Sequence, residues 1–192
     1  MKPGTKIVLK TLAVSSLFLI EYLLRERGRQ AVHNQIREIA PNQDKPILNV
    51  GAGCIDLGPN TVNCDKFQTV NGYNRIEAMC PCKKDKIEYC DLEKLAYPDK
   101  QFSIAVASHV LEHTDNPKQA LSELQRVSDK QIILTPKPWD ISSYFIPTHK
   151  YVFTDPYKAE GVRIYPYVNI AIGSALFIWW IHKDVKELLK KN

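Results

Sequence analysis

The strongest constraint on the fold is a short apolar run over 46–50 that stops at the turn Gly51-Ala52-Gly53. A run of this length without polar alternation is typical of a strand that is covered on both faces. Glycines directly after such a strand let the backbone approach a ligand closely. The segment therefore predicts the first strand of an α/β domain, with a ligand-binding turn at its end.

Four more strands and one helix are predicted after this turn. Pro117 to Val127 has the apolar spacing of an amphipathic helix, and Asn116 before it is a typical N-cap. The strands are predicted over 61–64, 86–90, 102–107 and 131–135. This alternation predicts a largely parallel sheet, in which ligands bind beyond the carboxyl ends of the strands.

Polar residues follow these predicted strands. Asp65 comes after the second strand, Asp91 with Leu92 after the third, and Ser108 with His109 after the fourth. Asp65 lies 14 residues beyond Gly51 and is placed to accept hydrogen bonds from a ribose diol. A single Gly-x-Gly has little specificity, and the joint order of these residues is far more specific.

A longer motif runs from Asp91-Leu-Glu-Lys-Leu to Val110-Leu-Glu-His113 and continues through Ala120-Leu and Glu123-Leu to Arg126-Val. This motif resembles the class I S-adenosylmethionine-dependent methyltransferases, in a short variant of their type 11 branch. The resemblance covers about residues 46–138 and extends less specifically to 182. It implies an α/β fold with a Rossmann-like class I methyltransferase sheet, mostly parallel with an antiparallel closing hairpin. We expect its helices to be trimmed, and we expect an additional N-terminal apolar helix.

The resemblance also implies a site for S-adenosyl-L-methionine. Asp65 would hold the ribose hydroxyls, and Asp91 with Leu92 would meet the adenine. His109 would face the transfer cleft as a base, and His113 is a second catalytic candidate with a structural role as its alternative. The implied cofactor-binding residues are Asn49, Gly51, Ala52, Gly53, Asp65, Asp91, Leu92 and Ser108.

Several positions depart from the family pattern. Asn49 stands where the family usually has an acidic residue, and Ile55 stands at the third glycine position. The connection from Gly51 to Asp65 is too short for a full helix, so we expect a loop there. The alternative to an active enzyme is therefore a catalytically degenerate binding or scaffold protein at a membrane.

Two further patterns allow a metal site or a disulfide. The string His109-Val-Leu-Glu-His113 matches a zinc-protease motif, but its flanks match the methyltransferase pattern over many more positions. Five cysteines are too few for a disulfide scaffold. We expect Cys64 and Cys90 to be small buried side chains at strand ends, and we predict no metal for Cys80-Pro-Cys82 with Cys90.

The N-terminal segment 1–38 is predicted as an apolar helix and a candidate membrane anchor. Thr11 to Ile20 is uncharged, with lysines before it and arginines after it. Basic residues on both sides are typical of a signal anchor or an interfacial helix, and the alternative is a helix packed on the domain. Membrane contact is expected through 7–24, with the domain on the cytoplasmic side, or else the whole chain is cytoplasmic.

The methyltransferase-like domain is predicted over 39–183, followed by a basic tail over 184–192. Ile164 to His182 has no charged residue, which allows a transmembrane helix. Pro166 and Gly173 interrupt the run, and its β-branched and aromatic composition favours two strands over about 162–172 and 175–182. These strands would form the closing hairpin.

The positive charge lies at the two ends of the chain. The net charge is +5, and residues 31–181 carry 16 basic and 17 acidic side chains. A nucleic-acid partner is therefore not expected. The predicted function is methyl transfer to a small-molecule or lipid-linked acceptor, with Trp139, Tyr144 and Phe145 as a candidate acceptor pocket after the fifth strand.

Overall fold

The structure is a computed structural model that describes residues 3–53, 55–66, 87–165 and 167–175. The helices that pack on the sheet are α1 (Pro3–Ile39) and α2 (Pro117–Val127), and residues 167–175 form a further helical segment. The strands are β1 (Ile47–Val50), β2 (Thr61–Asp65), β3 (Ile87–Tyr89), β4 (Phe102–Ser108), β5 (Ser128–Leu134), β6 (Tyr151–Asp155) and β7 (Glu160–Arg163).

The first five strands form one parallel sheet in the order β3-β2-β1-β4-β5. The chain moves outward from β1 to β3 and then crosses back to β4. In β1, Ile47 pairs with Thr61 on one side and with Ile104 on the other. The strand order therefore reverses between β1 and β4, and that reversal is where open α/β sheets bind ligands. The predicted Rossmann-like, mostly parallel sheet is confirmed.

Helix α2 covers one face of the sheet. Its apolar residues recur at helical spacing and are buried, and the side chain of Asn116 accepts a hydrogen bond from the Gln119 N–H at 3.2 Å. The predicted bounds and N-cap are confirmed. The buried apolar residues of this helix are Ala120, Leu121, Leu124 and Val127. Each large side chain buried in this way contributes roughly 1.5–3 kcal/mol.

The last turns of α1 and the short turn Ala40–Asn42 after it cover the opposite face. Ile36 and Ala40 pack with Leu57, Ile104 and Val106 in a second buried layer. The connection from β1 to β2 contains only turns among its described residues, as the short spacing predicts. Among the described residues, α2 therefore covers one face of the sheet and the end of α1 covers the other.

The antiparallel hairpin lies elsewhere than predicted. It is formed by β6 and β7, with Tyr151 paired to Arg163, and it stands apart from the parallel sheet. Residues 167–175 are helical, so the strand predicted over 162–172 is wrong beyond Arg163. The strand predicted over 175–182 and the tail over 184–192 lie outside the described residues, apart from residue 175.

Packing against the segment after β5 explains the helix over 167–175. The side-chain amide of Asn169 donates to the Tyr144 carbonyl at 2.9 Å. A Cβ on Gly173 would lie 2.8 Å from Cε1 of Phe145, so this glycine permits a close approach within a helix. From the sequence, Gly173 is interpreted as a turn between two strands, because a glycine in a turn and a glycine in a closely packed helix look alike in a sequence.

Candidate active site

The turn after β1 is built from two glycines with left-handed backbone. Gly51 has φ +64° and Gly53 has φ +56°. A Cβ on Gly51 would lie 2.2 Å from Cγ2 of Val110, which is closer than two carbon atoms can approach. The absent side chain therefore lets the end of β1 pack directly on the segment that follows β4.

The carboxylate of Asp65 closes against this turn from the end of β2. Asp65 is only 3% exposed, and its Oδ2 accepts a hydrogen bond from the Gly53 N–H at 2.9 Å. The Ala52 N–H donates to the Cys64 carbonyl at 3.1 Å. The structure thus brings the predicted glycine turn and the predicted ribose-binding carboxylate together.

Asp91 lies at the end of β3 and is already engaged by two donors. Its Oδ1 accepts from the Glu93 N–H at 3.1 Å, and its Oδ2 accepts from the Lys66 ammonium at 2.8 Å. Partial burial raises the pKa of Asp91, but the bonds from Lys66 and Glu93 outweigh it and hold that pKa below its usual value. Leu92 beside it is buried. Nothing in the sequence pattern indicated the contact with Lys66.

A disulfide joins the ends of β2 and β3. Cys64 and Cys90 are bonded, with their Cα atoms 5.5 Å apart. They directly precede Asp65 and Asp91, so the bond links the two strand ends that carry the predicted cofactor carboxylates. The expected burial of both side chains at strand ends is confirmed, but the disulfide between them was not expected. Cys64 pairs with Glu88 in the register of β2 on β3, and Cys90 lies two residues beyond Glu88. Cys54, Cys80 and Cys82 lie outside the described residues.

Asn49 is buried in β1 and bonds to protein groups. Its side-chain amide donates to the Ile55 carbonyl and to Oδ1 of Asn63, both at 2.9 Å. These bonds hold the loop after the glycine turn against β1 and β2. The structure therefore gives Asn49 a role in loop conformation, at the position where the family usually has an acidic residue.

Ser108 at the end of β4 contacts helix α1. Its hydroxyl lies 3.2 Å from Nε2 of His33, and both side chains are buried. Burial lowers the pKa of His33 to about 4, so this imidazole is neutral at physiological pH. Sequence reasoning missed His33, although its helical spacing with Ile36 and Ala40 is the signal of one buried face.

His109 follows Ser108 and is held by a buried carboxylate. Its backbone is left-handed, with φ +57°, and its N–H donates to the Leu134 carbonyl at 2.8 Å. Its Nδ1 lies 3.1 Å from Oε1 of Glu112, which is fully buried. A carboxylate at Nδ1 favours the tautomer with the proton there, so Nε2 is left as the proton acceptor. This is the arrangement of a general base.

His113 has a different environment from His109. Its Nδ1 donates to the Thr148 carbonyl at 2.9 Å, and its ring lies 4.9 Å from the ring of His149. His149 in turn donates from Nδ1 to the Ser143 carbonyl at 3.0 Å, and burial lowers its pKa to about 4. His113 thus belongs to a cluster with Glu112 and His149, which sequence reasoning did not bring together.

The three aromatic residues after β5 differ in their exposure and in their contacts. Trp139 is 71% exposed with the Lys137 ammonium 5.3 Å from its ring centre. Tyr144 donates its hydroxyl to the Pro138 carbonyl at 2.9 Å, and Phe145 packs on the helix over 167–175. A groove beside Trp139 is lined by residues of β5, the segment after it and the hairpin, among them Thr135, Pro136, Pro138, Phe153 and Thr154.

Comparison with protein families identifies the central segment. Residues 49–133 match the family described as a methyltransferase domain. The match begins at Asn49 in β1 and ends at Ile133 in β5, so it spans the sheet and the residues at its strand ends. It confirms the resemblance to the class I S-adenosylmethionine-dependent methyltransferases. No curated protein matches the sequence.

Several solved structures are similar to this chain at low identity. The BH2331 protein of Bacillus halodurans C-125 is 18% identical with a TM-score of 0.43, and the alignment covers 61% of this chain and 60% of that one. The YcgJ protein of Bacillus subtilis is 15% identical with a TM-score of 0.42, covering 76% and 68%. A SAM-dependent methyltransferase from Thermotoga maritima is 13% identical with a TM-score of 0.40, covering 79% and 75%. This chain thus spans about 60% of the length of the Bacillus halodurans protein.

Proposed function

We propose that this chain, in which residues 49–133 match a methyltransferase domain, transfers a methyl group from S-adenosyl-L-methionine to a lipid-linked acceptor at a membrane. The observation that carries the proposal is the convergence at the switch point between β1 and β4. There the glycine turn, the buried Asp65 carboxylate and the His109–Glu112 pair lie at the carboxyl ends of neighbouring strands.

The residues at this edge fit the cofactor in chemical type. When bound, S-adenosyl-L-methionine supplies an electrophilic methyl sulfonium. Asp65 would accept hydrogen bonds from the ribose hydroxyls, and the turn from Gly51 to Gly53 offers backbone without side chains for the methionine part. Leu92 would contact the adenine. Asp91 would contact it as well, but its carboxylate also accepts a hydrogen bond from Lys66. Ser108 would line the floor of the site.

His109 would take the proton from the acceptor. Its side chain is 21% exposed, whereas Glu112 beside it is fully buried, so the pair presents an imidazole to the cleft and a carboxylate behind it. Glu112 would hold the imidazole in one tautomer and stabilise the imidazolium as it forms. His113 would act on this pair through Glu112, since the ligand atoms of the two side chains lie within 4.8 Å of each other, and the bond from its Nδ1 to the Thr148 carbonyl would hold the ring in place.

The exposed surface of α1 supports membrane contact. One helix of the described part, over Gly4–Asn42, is long and apolar enough to cross a membrane, and none of its apolar window is buried. Leu17, Phe18, Leu19 and Ile20 are all exposed, and four consecutive residues point to all sides of a helix. A helix that is apolar all round suits a lipid environment better than one face of a protein.

The acceptor segment lies beside this helix, which supports a lipid-linked acceptor. Glu21 accepts hydrogen bonds from Ser142, from Oγ at 2.8 Å and from the backbone N–H at 3.2 Å. This contact satisfies the one acidic residue within 7–24. The neighbouring apolar side chains around the segment are exposed, among them Trp139, Ile141, Tyr165, Tyr167, Val168 and Ile172. Aromatic side chains of this kind favour the boundary between lipid and water.

A degenerate binding or scaffold protein is the second candidate. The ion pair between Lys66 and Asp91 and the internal bonds of Asn49 favour it, since both engage positions that would otherwise serve the cofactor. Binding and turnover distinguish the two candidates. Cofactor binding without methyl transfer would favour the degenerate protein.

The test is methyl transfer from S-adenosyl-L-methionine labelled in its methyl group. The full chain is incubated with liposomes that contain a total lipid extract and, in parallel, with a water-soluble metabolite extract. We expect label in the lipid fraction, and we expect His109→Gln to abolish it while cofactor binding persists. Label in the soluble fraction alone would contradict the lipid-linked acceptor.

Flotation tests the membrane contact separately. Leu17→Glu places a charge in the exposed apolar part of α1, and Gln30→Glu adds the same charge on the same helix outside residues 7–24. We expect the wild type and Gln30→Glu to float with liposomes and Leu17→Glu to float less, because a charge is costly in the bilayer core. Equal flotation of both variants would remove the anchor from the proposal.

A further inference from the structure

Three side chains behind the His109 base form a cluster of metal-ligand type. Glu112, His113 and His149 each offer one ligand atom, and these atoms lie within 4.8 Å of one another. Glu112 and His113 come from the turn Leu111–His113 after β4, and His149 comes from the segment before β6. The Lys150 N–H donates to the Glu112 carbonyl at 2.8 Å, which fixes the two segments against each other.

An unpartnered oxygen in this cluster points to a missing ligand. Glu112 is 0% exposed, and its Oε2 has no hydrogen-bond partner among the described residues, whereas its Oε1 bonds to His109. A carboxylate oxygen that is buried without a partner loses its hydration and gains no hydrogen bond in return, which is unfavourable. A bound cation would remove that penalty.

The two imidazoles have the hydrogen bonds that metal-binding histidines usually have. His113 and His149 both donate from Nδ1 to backbone carbonyl groups, of Thr148 and Ser143. A backbone carbonyl at Nδ1 fixes the tautomer with the proton there, so the other ring nitrogen, Nε2, carries the lone pair that can bind a metal.

We propose that Glu112, His113 and His149 bind a divalent transition-metal ion of the Zn²⁺ type. Two imidazoles with one carboxylate suit Zn²⁺, while Mg²⁺ and Ca²⁺ prefer oxygen ligands throughout. Tetrahedral Zn²⁺ at about 2.0–2.1 Å from each ligand places the ligand atoms about 3.3 Å apart, so binding draws the three side chains inward. Three protein ligands leave the fourth position for water or another small ligand.

This ligand set differs from that of the zinc-protease string. In that motif both histidines bind the metal, whereas here Nδ1 of His109 bonds to Glu112 and His149 supplies the second imidazole. One carboxylate then joins the metal to the base, with Oε2 toward the metal and Oε1 toward His109. The proposal does not depend on methyl transfer, because it concerns only how this cluster is occupied.

The experiment uses Co²⁺ as a spectroscopic probe on the full chain in detergent, after chelator treatment and dialysis. We expect one equivalent of Co²⁺ to bind with the visible d–d bands of a nitrogen- and oxygen-ligated tetrahedral site, and Zn²⁺ to displace it. His149→Asn and Glu112→Gln should each weaken binding by on the order of 100-fold or more, since each removes a ligand. His33→Asn is the matched control, because it alters a buried histidine outside the cluster, and it should keep the wild-type spectrum.

Three outcomes would overturn the proposal. The first is no bound Co²⁺ in the wild type, and the second is an unchanged spectrum in His149→Asn. The third is a thiolate charge-transfer band, which would assign the metal to cysteines. If the variants do not fold, the melting temperature of the wild type decides, because a ligand that binds only the folded state raises it. The same melting temperature with Zn²⁺ and with chelator would then refute the site.

Discussion

Replacing Gly51 by alanine tests how closely the end of β1 packs on the segment after β4. Two penalties are expected to add. The backbone of Gly51 is left-handed, with φ +64°, which disfavours any side chain by about 1–2 kcal/mol. The new Cβ would lie 2.2 Å from Cγ2 of Val110, and forcing an extra carbon into packed surroundings costs roughly 1–3 kcal/mol.

Two other glycines separate these penalties. Gly58 has φ +96° with no atom within 4 Å of a built Cβ, so Gly58→Ala carries the backbone penalty without the contact. Gly28 lies in α1 with no atom within 4 Å, so Gly28→Ala should stabilise the protein by about 0.5–1 kcal/mol. We therefore expect Gly51→Ala to lower the free energy of unfolding by roughly 2–5 kcal/mol, and clearly more than Gly58→Ala.

Urea unfolding followed by circular dichroism measures all three variants. A double variant, Gly51→Ala with Val110→Ala, removes both γ-methyl groups that meet the new Cβ. The double-variant cycle should give a favourable coupling energy of about 1–3 kcal/mol between the two sites. Equal losses in Gly51→Ala and Gly58→Ala, together with no coupling to Val110, would refute the packing described at the end of β1.

Three further predictions concern pH, redox state and a charged network. Because burial lowers the pKa of His33 to about 4 against 6.5 for the exposed group, the unfolded chain binds a proton first. Above pH 6.5 this group therefore does not reduce the free energy of unfolding, and as the pH falls toward 4 that free energy decreases by up to about 3 kcal/mol. His33→Asn should remove this part of the pH dependence of urea unfolding. Reduction of the bond between Cys64 and Cys90, which are 26 residues apart, should lower the free energy of unfolding by about 3.5 kcal/mol, and an unchanged melting temperature with reductant would contradict this. Arg126→Lys should destabilise by roughly 1–3 kcal/mol in thermal unfolding, because lysine cannot form the bonds that the guanidinium makes to the Leu95 and Tyr97 carbonyls and to two carboxylates.

Local patterns predicted the parallel sheet correctly because each strand carries its own signal. The apolar run before Gly51 and the spacing from Pro117 to Val127 each determine one element without reference to distant residues. Asp65 could be placed at the turn because the carboxyl ends of parallel strands lie at one edge of a sheet. The bond from Gly53 to Asp65 is the direct result of that geometry.

Predictions that depended on distant partners failed or were not made. The run over 167–172 has a strand-forming composition, but it is helical in the structure, where the helix contacts Tyr144 and Phe145. These two residues lie more than twenty positions earlier in the sequence. The bond between Cys64 and Cys90 depends on the register of two strands. The cluster around Glu112 and His149 likewise forms only when the hairpin segment returns to β4. The spacing of residues in the sequence carries no information about such long-range contacts.

Calorimetric titration of S-adenosyl-L-methionine into the full chain tests the central claim most directly. We predict one binding site per chain in the wild type and a loss of binding in Asp65→Ala. Asp99→Ala is the matched control, because Asp99 is an exposed carboxylate that pairs with Arg126 away from the glycine turn, and it should bind the cofactor as the wild type does. No heat of binding in the folded wild type, or equal affinity in Asp65→Ala, would contradict a cofactor site at the ends of β1, β2 and β4.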